Sequence, residues 1–336
     1  MNRSQIEHLV KNGKFPSAYK FVELLETHIS WVILCDEIVY KIKKPVKFDF
    51  LDFSTPQKRE FYCHKEVVLN RRLAKDIYQS VVYIHDNNGK FEISLQESEN
   101  TIDYAVMMKK MNPDKRMDKL LRSNKVSLEQ IDQIAKTLKE FHDKTETIYD
   151  IQPLDLKSKF NDIDEISNFV KESLGIKYKN IIKNSIHKSD QFLKQYEAII
   201  KLRSELGLIK DCHGDLHSKN IFLLDEPIIF DCIEFNPSFR HLDILNELAF
   251  FCMDLEAYNH HELSQYFMVC YNKLEEIIHS NQESQLFIYY KAYHANVRAK
   301  VSAMEAQKAN SDKMDKAVEE IKLYLDLLNQ YISELD

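Results

Sequence analysis

The first hundred residues contain short stretches in which apolar and polar positions alternate, the period of β-strands. Cys35 and Asp36 separate two stretches rich in Trp, Val, Ile and Tyr, which predicts a hairpin. A second hairpin is predicted around residues 86–89, because Asp, Asn and Gly in succession are typical of tight turns between strands. The predicted strands are 31–34, 37–42, 81–84, 91–95 and 101–108.

Elsewhere apolar residues recur every three or four positions, which predicts amphipathic helices. The spacing is clearest between 127 and 144, at Leu128, Ile131, Ile134, Leu138 and Phe141. An earlier helix is predicted from about residue 55, where a capping threonine precedes a first-turn proline. The other predicted helical stretches are most of 150–210, then 244–257, 262–280, 285–306 and 313–335.

The order of these elements predicts an α+β protein with two lobes. Strands concentrate before Met111 and helices follow it, so the boundary is placed there. We expect an N-lobe at 1–111, with an antiparallel sheet and one helix, and a mainly helical C-lobe at 112–336. A length of 336 residues exceeds the usual size of one domain, which agrees with this division.

Composition and charge exclude several classes of function. The formal charge of −7, without a dense basic run, favours no nucleic-acid partner. The longest apolar runs, such as 248–253, are far shorter than the about 20 residues that cross a bilayer, so no membrane segment is expected. The first residues do not resemble a signal peptide, and the six cysteines form no C-x-x-C pair. We therefore expect a cytoplasmic protein without disulfides.

One polar segment concentrates residues suited to phosphoryl transfer. His213, Asp215 and Asn220 precede two short apolar runs, 221–224 and 228–230, and Asp231 follows the second run. This pattern predicts a polar loop that leads into a tight hairpin with Asp231 at its far end. In phosphoryl transfer one carboxylate accepts the proton of the attacking hydroxyl, while an amide and a second carboxylate hold magnesium. The segment therefore predicts a Mg-ATP site.

The spacing His213-x-Asp215-x4-Asn220, followed by Asp231, resembles the catalytic signature of the aminoglycoside and choline kinase-type phosphotransferases, which are relatives of protein kinases. The likeness is strongest to a bacterial branch of aminoglycoside phosphotransferase family proteins, with local marks at 39–46 and 50–55, and it extends over about 27–256. It implies a two-lobed protein kinase-like fold with ATP between the lobes. It also implies that Asp215 is the catalytic base, that Asn220 and Asp231 are Mg²⁺ ligands, and that His213 braces the loop.

The resemblance further implies a phosphate-binding lysine on a strand and a glutamate that pairs with it from the next helix. Lys41 is the preferred lysine, and Lys43 stays open because alternation places it on the same face of the strand. Glu66 is the preferred partner, with Glu60 second.

The remaining nucleotide contacts lie in segments without a glycine-rich motif. Residues 25–30 contain no glycine, so the hydroxyls or backbone amides of Thr27 and Ser30 are expected to face the phosphates. The segment 107–111, which includes Met108, is expected to be the connector on the adenine side. Side chains there do not distinguish ATP from GTP.

A small hydroxylated substrate is favoured, because only eleven residues separate Asp231 from Asp243, too few for the peptide platform of a protein kinase. The alternatives are a kinase of a macromolecular acceptor and an ATP-binding regulatory pseudokinase. Asp254 and Glu256 would suit a cationic acceptor, although acidic helix faces are common. The sequence leaves the acceptor and the oligomeric state open.

Several further residues near the motif are candidates for structural or functional roles. The resemblance implies that Asp243 caps a helix and ties down the catalytic loop. His217 either fills the loop or approaches the substrate, and Glu234 either lines an acceptor pocket or begins a solvated loop. A zinc site of Cys212, Cys232 and the neighbouring histidines is disfavoured, because structural zinc usually binds closely paired cysteines.

Overall fold

The computed structural model describes residues 1–17, 19–149, 156–307 and 311–335. The chain divides into two compact units. Unit 1 comprises Met1–Met117 and Lys219–Phe239, and unit 2 comprises Asp118–Ser218 and Arg240–Asp336. The segment that carries Asn220 and Asp231 therefore belongs to the same unit as the predicted sheet, although it is distant from the sheet in sequence.

Unit 1 is built on a six-stranded antiparallel sheet with the order β1-β2-β3-β8-β6-β7. The strands are β1 (Glu23–Glu26), β2 (Ser30–Leu34), β3 (Ile38–Lys43), β6 (Tyr78–Asn87), β7 (Lys90–Ser94) and β8 (Thr101–Lys109). Two short hairpins accompany the sheet, β4 (Lys47–Phe48) with β5 (Leu51–Asp52) and β10 (Ile221–Leu223) with β11 (Pro227–Ile229). All the strands predicted in the first hundred residues are confirmed, and β1, β4 and β5 are additions.

Helices cover both faces of this sheet. Helix α1 (Arg3–Asn12) packs on the face that carries Tyr40 and Ile42. Helix α2 (Pro56–Asn70) packs on the opposite face, and its predicted start is confirmed by the Thr55 cap, whose side chain accepts a hydrogen bond from the Lys58 amide. Because side chains alternate along β3, Lys41 and Lys43 point to the α2 face.

The predicted turn at 86–89 is confirmed between β6 and β7. Asn88 and Gly89 have φ values of 57° and 84°, the left-handed pair that two-residue hairpin turns require. Strand β8 lies between β3 and β6, so the strand that leads out of the sheet is hydrogen-bonded on both sides.

Unit 2 is mainly helical. Its helices are α3 (Met117–Arg122, which begins at the last residue of unit 1), α4 (Leu128–Lys144), α5 (Leu156–Asn161), α6 (Ser167–Leu174), α7 (Ile176–Gln195), α8 (Glu197–Glu205), α9 (Ile244–Ala257), α10 (His261–Leu274), α11 (Asn281–Ala306) and α12 (Ser311–Ser333). Strands β9 (Ile209–Asp211) and β12 (His241–Asp243) form a small antiparallel pair. Every residue of α9 is buried, so α9 is the central helix of the unit.

One helix boundary differs from the prediction. The helix expected over 262–280 ends at Leu274, and Glu275 is extended. Ser280 is the N-cap of α11, and its side chain accepts a hydrogen bond from the Glu283 amide. The apolar period of the sequence runs on to residue 280, but the capping serine begins a separate helix there. The part of the predicted helical stretch at 150–155 lies outside the described residues.

Within the described residues, no helix combines the length and apolar character needed to cross a membrane.

Candidate active site

Unit 1 contains a network of ion pairs centred on Glu66 of α2. The Lys41 Nζ lies 2.8 Å from one Glu66 carboxylate oxygen and 2.6 Å from Asp231 Oδ1. The Lys43 Nζ lies 2.6 Å from the other Glu66 oxygen and also contacts Glu234. The expected pairing of Lys41 with Glu66 is therefore present, and Glu66 is shared by both candidate lysines.

Exposure distinguishes the two lysines. The Lys41 side chain is 14% exposed and touches Asp231, whose side chain is 42% exposed. Lys43 is only 1% exposed, and both of its carboxylate partners are buried. Lys41 is thus the more accessible of the two lysines, whereas Lys43 belongs to the interior, and contact of Lys41 with a phosphate stays a prediction.

The charges in this network hold one another in the ionised state. Burial alone would lower the pKa of Lys41, but the carboxylates of Asp231 and Glu66 outweigh burial and raise it well above its ordinary value. Burial would raise the pKa of Glu66, but the two lysines lower it. For Glu234 burial prevails and raises the pKa, since its partner Lys43 is shared with Glu66.

The burial of Glu234 corrects both sequence interpretations of this residue. It is 4% exposed and is paired with Lys43, so it neither lines an open pocket nor begins a solvated loop. The pair joins the chain just after Asp231 to strand β3.

Asp231 has a strained backbone. Its φ of 64° lies in the left-handed region, which is uncommon for residues other than glycine and is often found at functional sites. The Tyr78 hydroxyl accepts a hydrogen bond from the Asp231 amide at 3.2 Å, and the Asn70 Oδ1 accepts one from the Cys232 amide at 2.8 Å. Neither Asn70 nor Tyr78 was predicted, because nothing in the local sequence connects them with a residue about 150 positions away.

Asn220 and Asp231 lie at the same end of the β10–β11 hairpin. The pairing of Ile221 with Ile229 brings the flanking residues together, and the Phe230 amide donates to the Asn220 carbonyl at 3.0 Å. An amide oxygen and a carboxylate are hard ligands of the kind that Mg²⁺ binds. The donor set of this hairpin end therefore fits a magnesium ion.

The loop that carries Asp215 lies in unit 2 and is held by its backbone. Glu247 of α9 accepts hydrogen bonds through one oxygen from the amides of His213 and Gly214, at 2.6 and 2.9 Å. Asp254, two turns further along α9, accepts one from the Ser218 amide at 2.7 Å. Gly214 has a φ of 85°, a conformation that a side chain would strain. The loop is thus held through backbone amides on both sides of Asp215.

A second layer holds Glu247 in place. Its other oxygen lies 2.8 Å from His142 Nε2, and His142 Nδ1 lies 2.8 Å from the Tyr271 hydroxyl. Burial would raise the pKa of Glu247, but the hydrogen bond with His142, that histidine's charge and the neighbouring loop groups together lower it. His142, Cys212 and Glu247 are the one metal-competent grouping among the described residues, yet both ring nitrogens and both carboxylate oxygens already have partners. This grouping is a hydrogen-bond network rather than a metal centre.

The structure bears out one part of the expected role of Asp243, the helix cap, and not the other, the tie to the loop. Its side chain caps α9 by accepting a hydrogen bond from the Leu245 amide at 2.8 Å, as the sequence predicts. Its carboxylate is otherwise bound in two places by buried Arg203, at 2.7 and 2.9 Å. Glu247 and Asp254 anchor the catalytic loop instead. The available signal was Glu247 one turn after Asp243, on the same face of a helix that follows the motif.

The Asp215 side chain lies beside His217. Its Oδ2 lies 3.3 Å from His217 Nε2, and the His217 ring packs edge-on against Phe250. Burial would raise the pKa of Asp215, but His217, Arg298 and His213 lower it below the usual range. Asp215 is therefore ionised at neutral pH, and His217 lies beside it, while an approach of His217 to the substrate or phosphates stays a prediction. His213, which is completely buried, receives a hydrogen bond on its Nδ1 from the Asp215 amide.

Thr27 and Ser30, which are predicted to contact the phosphates, form hydrogen bonds with each other in one turn. The Thr27 amide donates to the Ser30 carbonyl, and the Ser30 amide donates to the Thr27 hydroxyl. Ser30 is completely buried. A role in phosphate binding stays a prediction for both residues.

Met108 lies within β8 and is 9% exposed, in an apolar cluster on the α2 face. The backbone beyond it is partly used, since the amides of Lys109 and Lys110 donate to the carbonyls of Ile77 and Glu37. Met108 can therefore contribute a side chain to a base pocket, and its role as a nucleotide contact stays a prediction.

Comparison with known proteins supports the fold. No family model matches the chain. Uncharacterised proteins of Mycobacterium bovis and of two Mycobacterium tuberculosis strains are each 29% identical to it over 290 residues, which is 84% of this chain. The chain spans 55% of the length of these relatives.

Several solved structures share the architecture. Choline kinase from Cryptosporidium parvum has a TM-score of 0.57 at 13% identity, covering 98% of this chain and 96% of its own. Ethanolamine kinase from Plasmodium vivax has a TM-score of 0.52 at 15% identity, covering 93% and 81%. An aminoglycoside phosphotransferase in complex with GDP and kanamycin has a TM-score of 0.52 at 12% identity, covering 99% of both chains. The predicted α+β, protein kinase-like fold is confirmed, and so is the resemblance to this group at the level of fold.

Proposed function

We propose that the protein is a phosphotransferase that moves the γ-phosphoryl group of Mg-ATP to a hydroxyl of a small molecule. The observation that carries the proposal is the network of Lys41, Glu66 and Asp231, with distances of 2.8 and 2.6 Å. It joins a strand, a helix and a distant hairpin around one exposed carboxylate. A purely structural network has no need of a strained, half-exposed aspartate at its edge.

The nucleotide base is assigned to the apolar cluster on the α2 face of the sheet. Val39 and Met108 are buried there, and Met111, Ile228 and Phe230 are half-buried at its margin. Apolar side chains of this kind form the walls of small-molecule sites, and backbone groups near Met111 supply the polar contacts to the base. Lys41 lies on the same face of β3 as Val39, so base and phosphates bind along one strand.

In the proposed reaction the acceptor hydroxyl gives its proton to the Asp215 carboxylate as its oxygen attacks the γ-phosphorus. The bond between that phosphorus and the bridging oxygen breaks, and ADP leaves. Lys41 contacts the phosphates, and Asn220 and Asp231 would hold Mg²⁺, which offsets the charge of the phosphates. The lowered pKa of Asp215 suits this chemistry, because an ionised carboxylate can accept a hydrogen bond from the hydroxyl and orient it. In a loose transition state the bond to the leaving oxygen breaks before much of the hydroxyl proton is transferred, so a strong base is not required.

Transfer is tested by incubating the purified protein with Mg-ATP and pools of hydroxylated metabolites and aminoglycosides, followed by mass spectrometry. A product heavier by the mass of one phosphoryl group supports the proposal. Nucleotide binding without any product favours a macromolecular acceptor or a regulatory pseudokinase, and absence of nucleotide binding contradicts the proposal.

The Asp215→Asn variant separates catalysis from binding. The nucleotide groups of unit 1 and the backbone anchors of the loop do not involve the Asp215 carboxylate, so Mg-ATP affinity and the unfolding midpoint should change little. Transfer should fall by about 10²- to 10⁴-fold, the usual contribution of a general base. Calorimetric titration with nucleotide and initial-rate assays give the two readouts. A variant that transfers phosphate at the wild-type rate would exclude Asp215 as the base.

A further inference from the structure

The acidic residues at the N-cap of α9 and along α9, including Asp254 and Glu256, are all bound internally. Asp243 is bound by Arg203, and Glu247 by His142 and the loop amides. Asp254 is 3% exposed and accepts from the Ser218 amide. Glu256 is 7% exposed and accepts from Ser264, Lys291 and Tyr331. The acidity visible in the sequence is therefore structural.

Arg298 of α11 has the opposite character. Its Nε is buried and has no hydrogen-bond partner among the described residues, and within the same part of the chain it forms no ion pair with a carboxylate. Its guanidinium carbon lies 5.4 Å from the ring centroid of Tyr324 of α12. Arg298 as a whole is half-buried, but a buried N–H donor without a partner is costly unless another group uses it.

Its position connects Arg298 with the catalytic loop. His294, one turn earlier on α11, stacks on Phe250 with ring centroids 4.1 Å apart, and Phe250 packs against His217, the neighbour of Asp215. Residues four positions apart share a helix face, so Arg298 lies on the face that is turned to the loop. Burial would lower the pKa of Arg298, but Tyr324, Asp215 and Asp254 raise it.

These observations determine the chemistry of a ligand for Arg298. A guanidinium presents a planar fork of N–H donors that matches the two oxygens of a carboxylate or phosphate. The adjacent Tyr324 hydroxyl adds a polar group. Among the described residues, no carboxylate forms an ion pair with the Arg298 guanidinium. A cationic group placed there would be repelled by Arg298.

We infer that Arg298, with Tyr324, forms an oxyanion subsite beside Asp215, and that the acceptor carries a carboxylate or phosphate as well as the reacting hydroxyl. This inference rests on the proposed phosphotransferase function and specifies its substrate class. It distinguishes this chain from the fold relatives named for choline, ethanolamine and aminoglycosides. In the transfer step the oxyanion stays on Arg298 and only the hydroxyl reacts, with its proton passing to Asp215.

The test is equilibrium binding without nucleotide, so that it does not depend on catalysis. Two series of matched probes are titrated by calorimetry: glucose, glucosamine, glucuronate and glucose 6-phosphate, and glycerol, serinol, glycerate and glycerol 3-phosphate. We expect the carboxylates and phosphates to bind more tightly than their neutral and amine analogues. The two anionic members of each series show whether a carboxylate or a phosphate is preferred.

The Arg298→Met variant should weaken binding of the anionic probes by about 10- to 100-fold, the loss expected for one charge-assisted pair. Arg298→Lys keeps the charge without the fork and should recover part of the affinity, which also controls for folding. Lys322→Met removes an exposed charge of α12 that pairs with Asp326, and should change nothing. Mg-ATP affinity should be equal in all of these proteins, because its proposed ligands lie in unit 1.

Two results would overturn the inference. One is the absence of anion-selective binding in both series, and the other is selectivity that survives Arg298→Met. Phosphorylation of an aminoglycoside or amino alcohol by the wild type would retain the phosphotransferase function and reject the oxyanion subsite. Failure to bind Mg-ATP would instead reject the proposed function, whatever the anion titrations show.

Discussion

The two units hold their functional carboxylates in different ways. In unit 1 the side chains of Lys41, Lys43, Glu66, Asp231 and Glu234 pair with one another, and only Lys41 and Asp231 are exposed enough to be candidate ligands. In unit 2 the loop around Asp215 is held by carboxylates of α9 that bind backbone amides.

The difference corresponds to what each site has to do. At the proposed phosphate and metal site, Lys41 and Asp231 must leave each other and bind the phosphates and the metal ion. Because Glu66 is shared by two lysines, the other charges of the network stay paired during this exchange. The proposed base must present one carboxylate at a fixed position, and the carboxylates of α9 that bind backbone amides fix the loop that carries it. The two units should therefore respond differently to mutation.

The matched pair Lys41→Met and Lys43→Met should show the largest effects. Lys41→Met removes the lysine that phosphates can reach, and kcat/KM should fall by about 10²- to 10³-fold, as when one preorganised donor is lost. Lys43→Met leaves Glu234 buried without its cation, which should lower the free energy of unfolding by about 3–5 kcal/mol. Rate assays and urea unfolding of both variants give the comparison. The reverse pattern, with activity lost in Lys43→Met and stability in Lys41→Met, would exchange the two roles.

A smaller effect is expected for the anchor of the loop. Glu247→Ala removes the acceptor of the His213 and Gly214 amides, and should lower the free energy of unfolding by about 1.5–3 kcal/mol and reduce kcat. Nucleotide affinity should persist, because Glu247 does not belong to unit 1. Glu247→Gln keeps one acceptor oxygen and should lie between Ala and the wild type. Equal effects of Ala and Gln would show that the charge of Glu247 matters more than its hydrogen bonds to the loop.

The smallest effect is a pH dependence in unit 2. Burial lowers the pKa of His294 to about 3, whereas an unfolded histidine has a pKa of about 6.5. Between these values the unfolded state binds more protons, so the free energy of unfolding decreases as the pH falls from about 6.5. From pH 7 to pH 5 the wild type should lose about 2 kcal/mol more than His294→Gln.

Urea unfolding at the two pH values measures this difference, with His187→Gln on an exposed position of α7 as the control. A His294→Gln protein with the same pH dependence as the wild type would show that His294 is not the titrating group.

The parts of the site that the sequence predicted are those in which local pattern and chemistry agree. Lys41 and Glu66 follow from a strand and a helix that each have a clear period, and Asp231 follows from two apolar runs around a tight turn. The residues that were missed act across long separations. Asn70 and Tyr78 hold the segment around Asp231, and Arg298 approaches the loop from a helix about 80 residues later. No periodicity connects such positions.

The sequence by itself determined the element types, the order of the predicted motif residues and the kinase-like resemblance, because hydrophobic period, caps and turn residues are local properties. The tertiary structure decided which of two lysines on one strand face is accessible, whether the carboxylates of α9 are ligands or anchors, and which cation faces Asp215. Each of these three features depends on how deeply a side chain is buried and on which group forms a hydrogen bond with it. Those quantities arise only when distant segments pack together.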